Sequence, residues 1–316
     1  MDLYLLRILR DYTPKSVCCL LIPHVRSYSD ISCDKYDTKF RTYLAGLIEG
    51  DGTIVVPKTE RSAKGVLNYP SIQIVFDLRD LPLALVIQLK LGHGSISRKK
   101  GINAYVLTIN SFEGITLVVR LINGYMRTPK INALYRLIDF LNKRFSINIE
   151  KRPEDTSSIN SNSWLAGFID ADGHFSVRTS LSGSSKYPKI ECKFELTQRQ
   201  NDHNGYNNFK FLNLIAKILC TTVKEMRIDK PHPEYRIRTT SLGGNLALVA
   251  YLGKYPLFSN KYLNYKDWKK VLRYFEQKIH TKPETIKTII EIKSHMNNKR
   301  MEFNWDHLSN FYNLYS

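Results

Sequence analysis

Four acids, set two by two in matching segments, are the residues of this chain best placed to do chemistry. Glu49 and Asp51 lie in YLAGLIEGDGTI (Tyr43–Ile54), and Asp170 and Asp172 lie in WLAGFIDADGHF (Trp164–Phe175), 121 positions further on. Each segment closes on an acid, a spacer, a second acid and a glycine. Before them, Leu44, Leu47 and Ile48 match Leu165, Phe168 and Ile169, an i, i+3, i+4 stripe that buries one side of a helix. Ala45, Gly46 and Gly50 match Ala166, Gly167 and Ala171. A glycine inside a helix costs about 1 kcal/mol, and small residues four apart let helix backbones approach closely. The two helices should therefore pack on each other with converging C-terminal ends, capped at their starts by Thr38 and by Ser161 or Ser163. Convergence would set Asp51 beside Asp172 where both helix dipoles are already negative. Divalent cations relieve that conflict. Carboxylate, carbonyl and water oxygens suit Mg²⁺, with Mn²⁺ able to substitute, and metal shared with a phosphodiester can activate water. An EF-hand is excluded, because the positions needing glycine and glutamate hold Phe175 and Leu181.

The rest of the chain must supply the substrate's charge complement. Its 316 residues hold 47 Lys and Arg against 29 Asp and Glu, a net +18. So large a surplus points to a phosphate backbone as partner. No apolar run approaches a membrane span. Cys18, Cys19, Cys33, Cys192 and Cys220 show no paired spacing, so neither a zinc site nor a disulfide framework is expected. Residues 1–37 read as an extension, either a mitochondrial presequence (basic MDLYLLRILR, with Arg26-Ser27-Tyr28-Ser29 as a cleavage site) or an upstream exon remnant.

Further repeats mark a duplication. Tyr69-Pro70 and Phe76 recur as Tyr187-Pro188 and Phe194, and Thr128-Pro129-Lys130 recurs as Ser259-Asn260-Lys261. The offset grows from 118 to 131, and QNDHNGYNN (Gln200–Asn208) is the natural site of the insertion. Each half reads as helix, strand pair, helix, strand pair, helix, an α+β fold. TIVV, SIQIVF, AYVLTI, HFSVRT, KIECKFEL and EYRIRTT are the strands, and Leu81–Leu91 and Phe209–Leu219 are helical. The expected division is an extension (1–37), a first domain (38–145), a polar linker (146–162) and a second domain (163–316) with an added C-terminal helix. Antiparallel sheets with one basic face would form a concave surface.

These motifs resemble those of the LAGLIDADG homing endonucleases in their single-chain, two-motif form, over roughly Lys39 to Leu314. The resemblance implies two αββαββα halves, motif helices at the interface, and four-stranded saddles in adjacent major grooves. It implies Mg²⁺ on Asp51 and Asp172 and on the carbonyls of Gly50 and Ala171, with Glu49 and Asp170 structural. It also places a solvent-ordering residue at Gln198, with Asp80 opposite it at an offset of 118. A basic pocket residue maps to Lys99, and in the second half to the stretch from Lys224 to Arg227. Base contacts at alternate strand positions would come from Thr53, Val55, Gln73 and Ser97, with Lys99 nearby. In the second half they would come from His174, Ser176, Arg178, Lys193, Glu195, Lys224, Arg236 and Arg238. His174 is read as a DNA contact or filler rather than a general base, because its counterpart Thr53 cannot do that job.

The function expected is site-specific cleavage of double-stranded DNA by a pseudo-twofold monomer, encoded in a group I intron and active in the mitochondrial matrix or another organelle. The alternative is an RNA maturase that assists group I intron splicing without cutting. The matched acids favour the nuclease. A DNA-binding regulator would want a helix-turn-helix, and no clear candidate is visible in the first 38 residues or the tail.

Overall fold

A computed structural model describes residues 35–180 and 188–312. The amphipathic segment near the N-terminus, three of the five cysteines and Tyr187 lie outside these residues. The first half contains α1 (Thr38–Asp51), β1 (Gly52–Val55), β2 (Ser71–Asp77), α2 (Leu81–Leu91), β3 (Ser95–Arg98), β4 (Ala104–Ile109), α3 (Phe112–Ile122) and α4 (Ile131–Phe145). The second repeats that order as α5 (Trp164–Asp172), β5 (Gly173–Ser180), β6 (Lys189–Arg199), α6 (Phe209–Ile218), β7 (Val223–Met226), β8 (Glu234–Thr239), α7 (Leu242–Lys254) and α8 (Lys261–Glu276), and adds α9 (Pro283–Ser294). The fold is α+β. Two antiparallel four-stranded sheets run β1-β2-β4-β3 and β5-β6-β8-β7.

Alternation decides which face of each sheet is buried. Ile72, Ile74 and Phe76 point into the core, while Ser71, Gln73, Val75 and Asp77 point outward. In β6, Cys192, Phe194 and Leu196 are buried with the helices, and Glu195 and Thr197 face away from them. Each sheet thus packs one face under its helices and leaves the other for a partner.

The seam between the halves is a crossing of α1 and α5 through glycine. A Cβ built on Gly46 would strike the carbonyl oxygen of Trp164, and one built on Gly167 would strike that of Tyr43. The clashes are reciprocal because the halves are related by a pseudo-twofold. Only hydrogen fits at either position, which explains why both copies accept a poor helix former. Polar caps flank the crossing. Thr42 and Ser163 share a 2.6 Å hydroxyl contact across it, and Ser163 Oγ also donates to the Lys39 carbonyl. The caps differ from expectation. Asp37, not Thr38, receives Lys39 N–H at 2.8 Å, and Asn162 rather than Ser161 or Ser163 accepts from Trp164 N–H at 3.0 Å.

Strand pairing corrects the register of the repeat. Gly52 pairs with Ile74 and Gly173 with Leu196, and these pair in turn with Leu107 and Ile237. Ile74 is therefore equivalent to Leu196, an offset of 122 rather than the 118 of the Tyr-Pro coincidence. The structural counterpart of Gln198 is Phe76, not Asp80. The insertion does fall at 200–208, a turn closed by an Asn201–Asn207 bridge.

Two further segments tie the halves together. The connection from 146 to 162 is pinned rather than loose: Asn123 Nδ2 donates to the Glu150 carbonyl at 2.7 Å, and Arg127 pairs with Asp155 at 2.6 Å. Past α9, the chain crosses the seam. Phe311 and Tyr312 wedge against Phe40 and Tyr43 of the first half and Phe258 of the second, with ring centroids 4.8 to 6.1 Å apart. Tyr36 is buried against Phe40, so the region expected to be extension contributes at least this residue to the core.

Gly46→Ala should destabilise by on the order of 3 kcal/mol, since the methyl group meets backbone that cannot yield. A urea midpoint indistinguishable from wild type would contradict backbone-to-backbone contact at the crossing.

Candidate active site at the helix ends

The crossing delivers two carboxylates to one place. At Gly50 a Cβ would overlap the Cβ of Ala171 and lie 2.9 Å from Asp172 Oδ2, so the Asp172 carboxylate sits at the end of the opposite helix. Asp51 and Asp172 are the last residues of α1 and α5, both only partly exposed. Burial pushes Asp51 from 3.8 up to about 7, with the Asp172 charge adding to the rise. Burial likewise raises Asp172, against the pull of Lys261, of the Gln198 amide and of Lys130. Gln198 Nε2 donates to Asp172 Oδ2 at 2.7 Å. At the equivalent position beside Asp51 stands buried Phe76, so the two acids are unequally supported.

The other acid of each motif is an anchor. Glu49 is buried and accepts from Arg127 N–H, Thr128 N–H, Thr128 Oγ1 and Trp164 Nε1 at 2.5 to 3.0 Å. Asp170 accepts from Phe258 N–H, Ser259 N–H, Ser259 Oγ and Tyr43 OH at 2.5 to 3.2 Å. Each cradles the turn before α4 or α8 and takes one bond from the aromatic residue that opens the other half's motif. That cradle explains why the acid recurs without facing solvent.

The same turns carry two lysines whose role the sequence reading missed. Lys130 Nζ donates to the carbonyls of Ile48 (3.0 Å), Gly50 (3.3 Å) and Gly52 (2.7 Å). Lys261 Nζ donates to those of Ile169 at 3.4 Å and Ala171. Both ammonium groups cap a motif helix and offset the charge of the aspartates. The repeated Lys130/Lys261 signal at an offset of 131 was legible; what it does became evident only from the turn that folds back onto the helix end. Lys99 is an exposed residue just past β3 and lines neither cavity beside the aspartates. Lys224 lies on β7 within the saddle, and Arg227 pairs with Glu234. Asp80 is also reassigned: its carboxylate holds Asn260 N–H at 2.5 Å and Asn260 Nδ2 at 2.6 Å, fixing the start of α8 from the first half.

Two cavities flank the helix ends. One, of about 370 Å³, includes Asp51, Asp80, His174 and Lys261; the other, of about 320 Å³, includes Gly50, Lys130, Gln198 and Asp202. Around them the remaining candidates lie on the outward sheet faces. Thr53, Gln73 and Thr108 form one cross-strand row, with Val55 and Ser97 in neighbouring rows. In the second sheet His174, Glu195 and Arg238 form a row, flanked by Ser176–Lys193, Arg178–Glu191 and Lys224–Arg236. Lys193 is buried in this row system rather than projecting from it. Burial lowers the His174 pKa.

The LAGLIDADG endonuclease model matches residues 44–141 and 165–272, both halves in register with this geometry. The chain belongs to the LAGLIDADG endonuclease family. It is similar to the intron-encoded DNA endonuclease aI3 of Saccharomyces cerevisiae, 32% identical over 313 residues, covering 88% of this chain and 74% of that protein. A cox1 intron-2 protein of Schizosaccharomyces pombe is 28% identical, covering 85% and 74%. A shorter match, 32% over 135 residues, is to the intron-encoded RNA maturase bI4 of S. cerevisiae, covering 43% of this chain and 19% of that protein. Among solved structures, the I-SmaMI LAGLIDADG homing endonuclease bound to cleaved DNA superposes with a TM-score of 0.63 at 22% identity, over 83% of this chain and 98% of that one. The LAGLIDADG architecture therefore extends across most of the chain.

The raised Asp51 pKa has a sign that can be checked without substrate. Folded, the carboxyl holds its proton to about pH 7; unfolded, it loses it near 3.8. Its contribution to stability therefore declines as pH rises between those values, and at pH 8 the folded metal-free protein bears the full penalty. In EDTA at pH 8, Asp51→Asn should melt roughly 2–4 °C higher, the equivalent of about 1 kcal/mol. A lower melting temperature would contradict the repulsion.

Proposed function

We propose that this chain is a site-specific double-strand DNA endonuclease that initiates homing of the intron encoding it. The observation that carries this reading is the pair Asp51 and Asp172 at abutting helix ends, between two outward-facing sheets. A divalent cation fits there by donor chemistry. The donors available are two carboxylates and the Gly50 and Ala171 carbonyls, all oxygen. Among the described residues no cluster of three or more His, Cys, Asp or Glu side chains forms a closed cage, which leaves coordination positions for water and phosphate, the mode Mg²⁺ prefers. Mg²⁺ bound there, or Mn²⁺ in its place, would supply water activation and charge neutralisation at the scissile phosphate.

The protein's own groups do the rest. Lys130 and Lys261 offset the negative charge with which the acids would repel a polyanion, and each ammonium group lines one of the two cavities a phosphate could enter. Gln198 orients Asp172 and holds an amide where solvent reaches it. The two outward sheet faces bind DNA on either side of the cut, with Thr53, Val55, Gln73, Ser97, His174, Ser176, Arg178, Glu195, Lys224, Arg236 and Arg238 as the surface presented to the grooves. The intron-encoded relatives, one from a cox1 intron, support a mitochondrial site of action. The maturase relative supports a second reading, binding of group I intron RNA, which the same basic surface could serve.

Asp51→Asn and Asp172→Asn should each reduce double-strand cutting at least a thousandfold while target binding in Ca²⁺ stays within about threefold. Wild-type rates in both variants would remove the aspartates from the chemistry, and tight RNA binding with no DNA cleavage by wild type would favour the maturase. Affinity for duplex target should fall roughly 10³-fold or more between 50 and 200 mM salt, as several phosphate contacts require. A flat salt response would argue against a phosphate-tracking saddle.

A further inference from the structure

The two outward faces are equivalent in position but opposite in chemistry. With Ile74 matched to Leu196, each row of one sheet has a counterpart in the other. The row Thr53–Gln73–Thr108 corresponds to His174–Glu195–Arg238. The row Val75–Val106–Ser97 corresponds to Thr197–Arg236–Lys224. The pair Val55–Ser71 corresponds to Ser176–Lys193. At all eight positions the first half is neutral; the second places six charged or titratable side chains there. Val55 is 39% exposed on its sheet face.

The charged rows are organised around one acid. Arg238 Nε and Nη2 reach Glu195 Oε1 at 2.8 and 2.7 Å, while Arg236 Nη1 and Lys193 Nζ stand 3.6 Å from the same carboxylate. Glu195 therefore holds Arg238 firmly and Arg236 only by charge. Each guanidinium keeps N–H donors in excess of what a single carboxylate can accept. An oriented guanidinium on a saddle matches guanine O6 and N7, whereas glutamine matches adenine N6 and N7 and an apolar side chain meets the thymine methyl.

Resting on the endonuclease reading above, we infer that this protein recognises a compositionally divided target: the half-site under the second sheet is read through guanine by the Glu195-held Arg236 and Arg238, and the half-site under the first through A·T pairs by Gln73 and the valines. Glu195 is a positioning residue in this scheme. It aims the arginines and prevents them from settling on any phosphate within reach.

The test is selection of bound duplexes from a randomised library in Ca²⁺, read by sequencing, with wild type and three variants. Wild type should enrich G·C pairs on one side of the centre and A·T pairs on the other. Arg238→Gln should relax preference at one G·C position only, by roughly 5- to 150-fold, and Glu195→Gln should weaken it at more than one. Gln73→Glu with Thr108→Arg transplants the charged row and should create a guanine preference in the A·T half. Thermal melts of each variant establish that the fold is retained. Equal composition on both sides, or an affinity loss in Arg238→Gln that is uniform across all sequences, would overturn the inference. Selective binding to sites that wild type then fails to cut in Mg²⁺ would count against the nuclease reading and leave this one standing.

Discussion

Backbone against backbone at Gly46 and Gly167 is the constraint on which everything else in this molecule rests. The crossing admits no side chain, so its geometry is fixed by the peptide groups themselves and not by the softer fit of a hydrophobic interface. Because the contact is reciprocal, it also fixes a pseudo-twofold axis. The helix ends, the acids on them and the two sheets that begin one residue later are then placed by symmetry. A glycine that costs about 1 kcal/mol in each helix is the means by which two carboxylates are brought to one point.

That placement is held against electrostatics. Burial at two helix C-termini raises the proton affinity of both acids, with the Asp172 charge adding to the rise at Asp51, and the fold counters with Lys130 and Lys261 on the terminal carbonyls. Glu49 and Asp170 supply the leverage, each clamping the turn that carries its half's lysine. The motif's two acids therefore divide the labour. One carboxylate receives many donors and is an anchor; its neighbour two residues on receives few and is partly exposed at the helix end. Acids perturbed in this way cluster at functional sites.

Much of the architecture was legible in the residues, and the reasons it was not all legible are specific. Leu81–Leu91 and Ala104–Ile109 carry clean periodicity and turn punctuation, and their bounds in the structure are those the pattern gives. The glycine pair announced the helix crossing because its cost needs a reason. Register was a different matter. Tyr69-Pro70 and Tyr187-Pro188 look equivalent in one dimension, but hydrogen-bonded pairing shifts the second half by four positions, and Asp80 lost its assigned role to Phe76. Lys130 and Lys261 were not recognised as neighbours of the acids because that proximity is a property of the turn before α4 and α8, which a local motif does not display. Asp37 and Asn162 displaced the expected caps by one position each, a choice made by side-chain reach.

The aromatic wedge at Phe311 and Tyr312 has a consequence for biosynthesis. A chain leaves the ribosome from its N-terminus, and domains fold as they emerge. The first half can close its own core early, yet the flank of α1 bearing Phe40 and Tyr43 stays only partly covered until the rings at 311 and 312 have been made. Throughout that interval the nascent protein presents sticky apolar surface beside an incomplete partner, so the seam is sealed by a stretch translated after both halves.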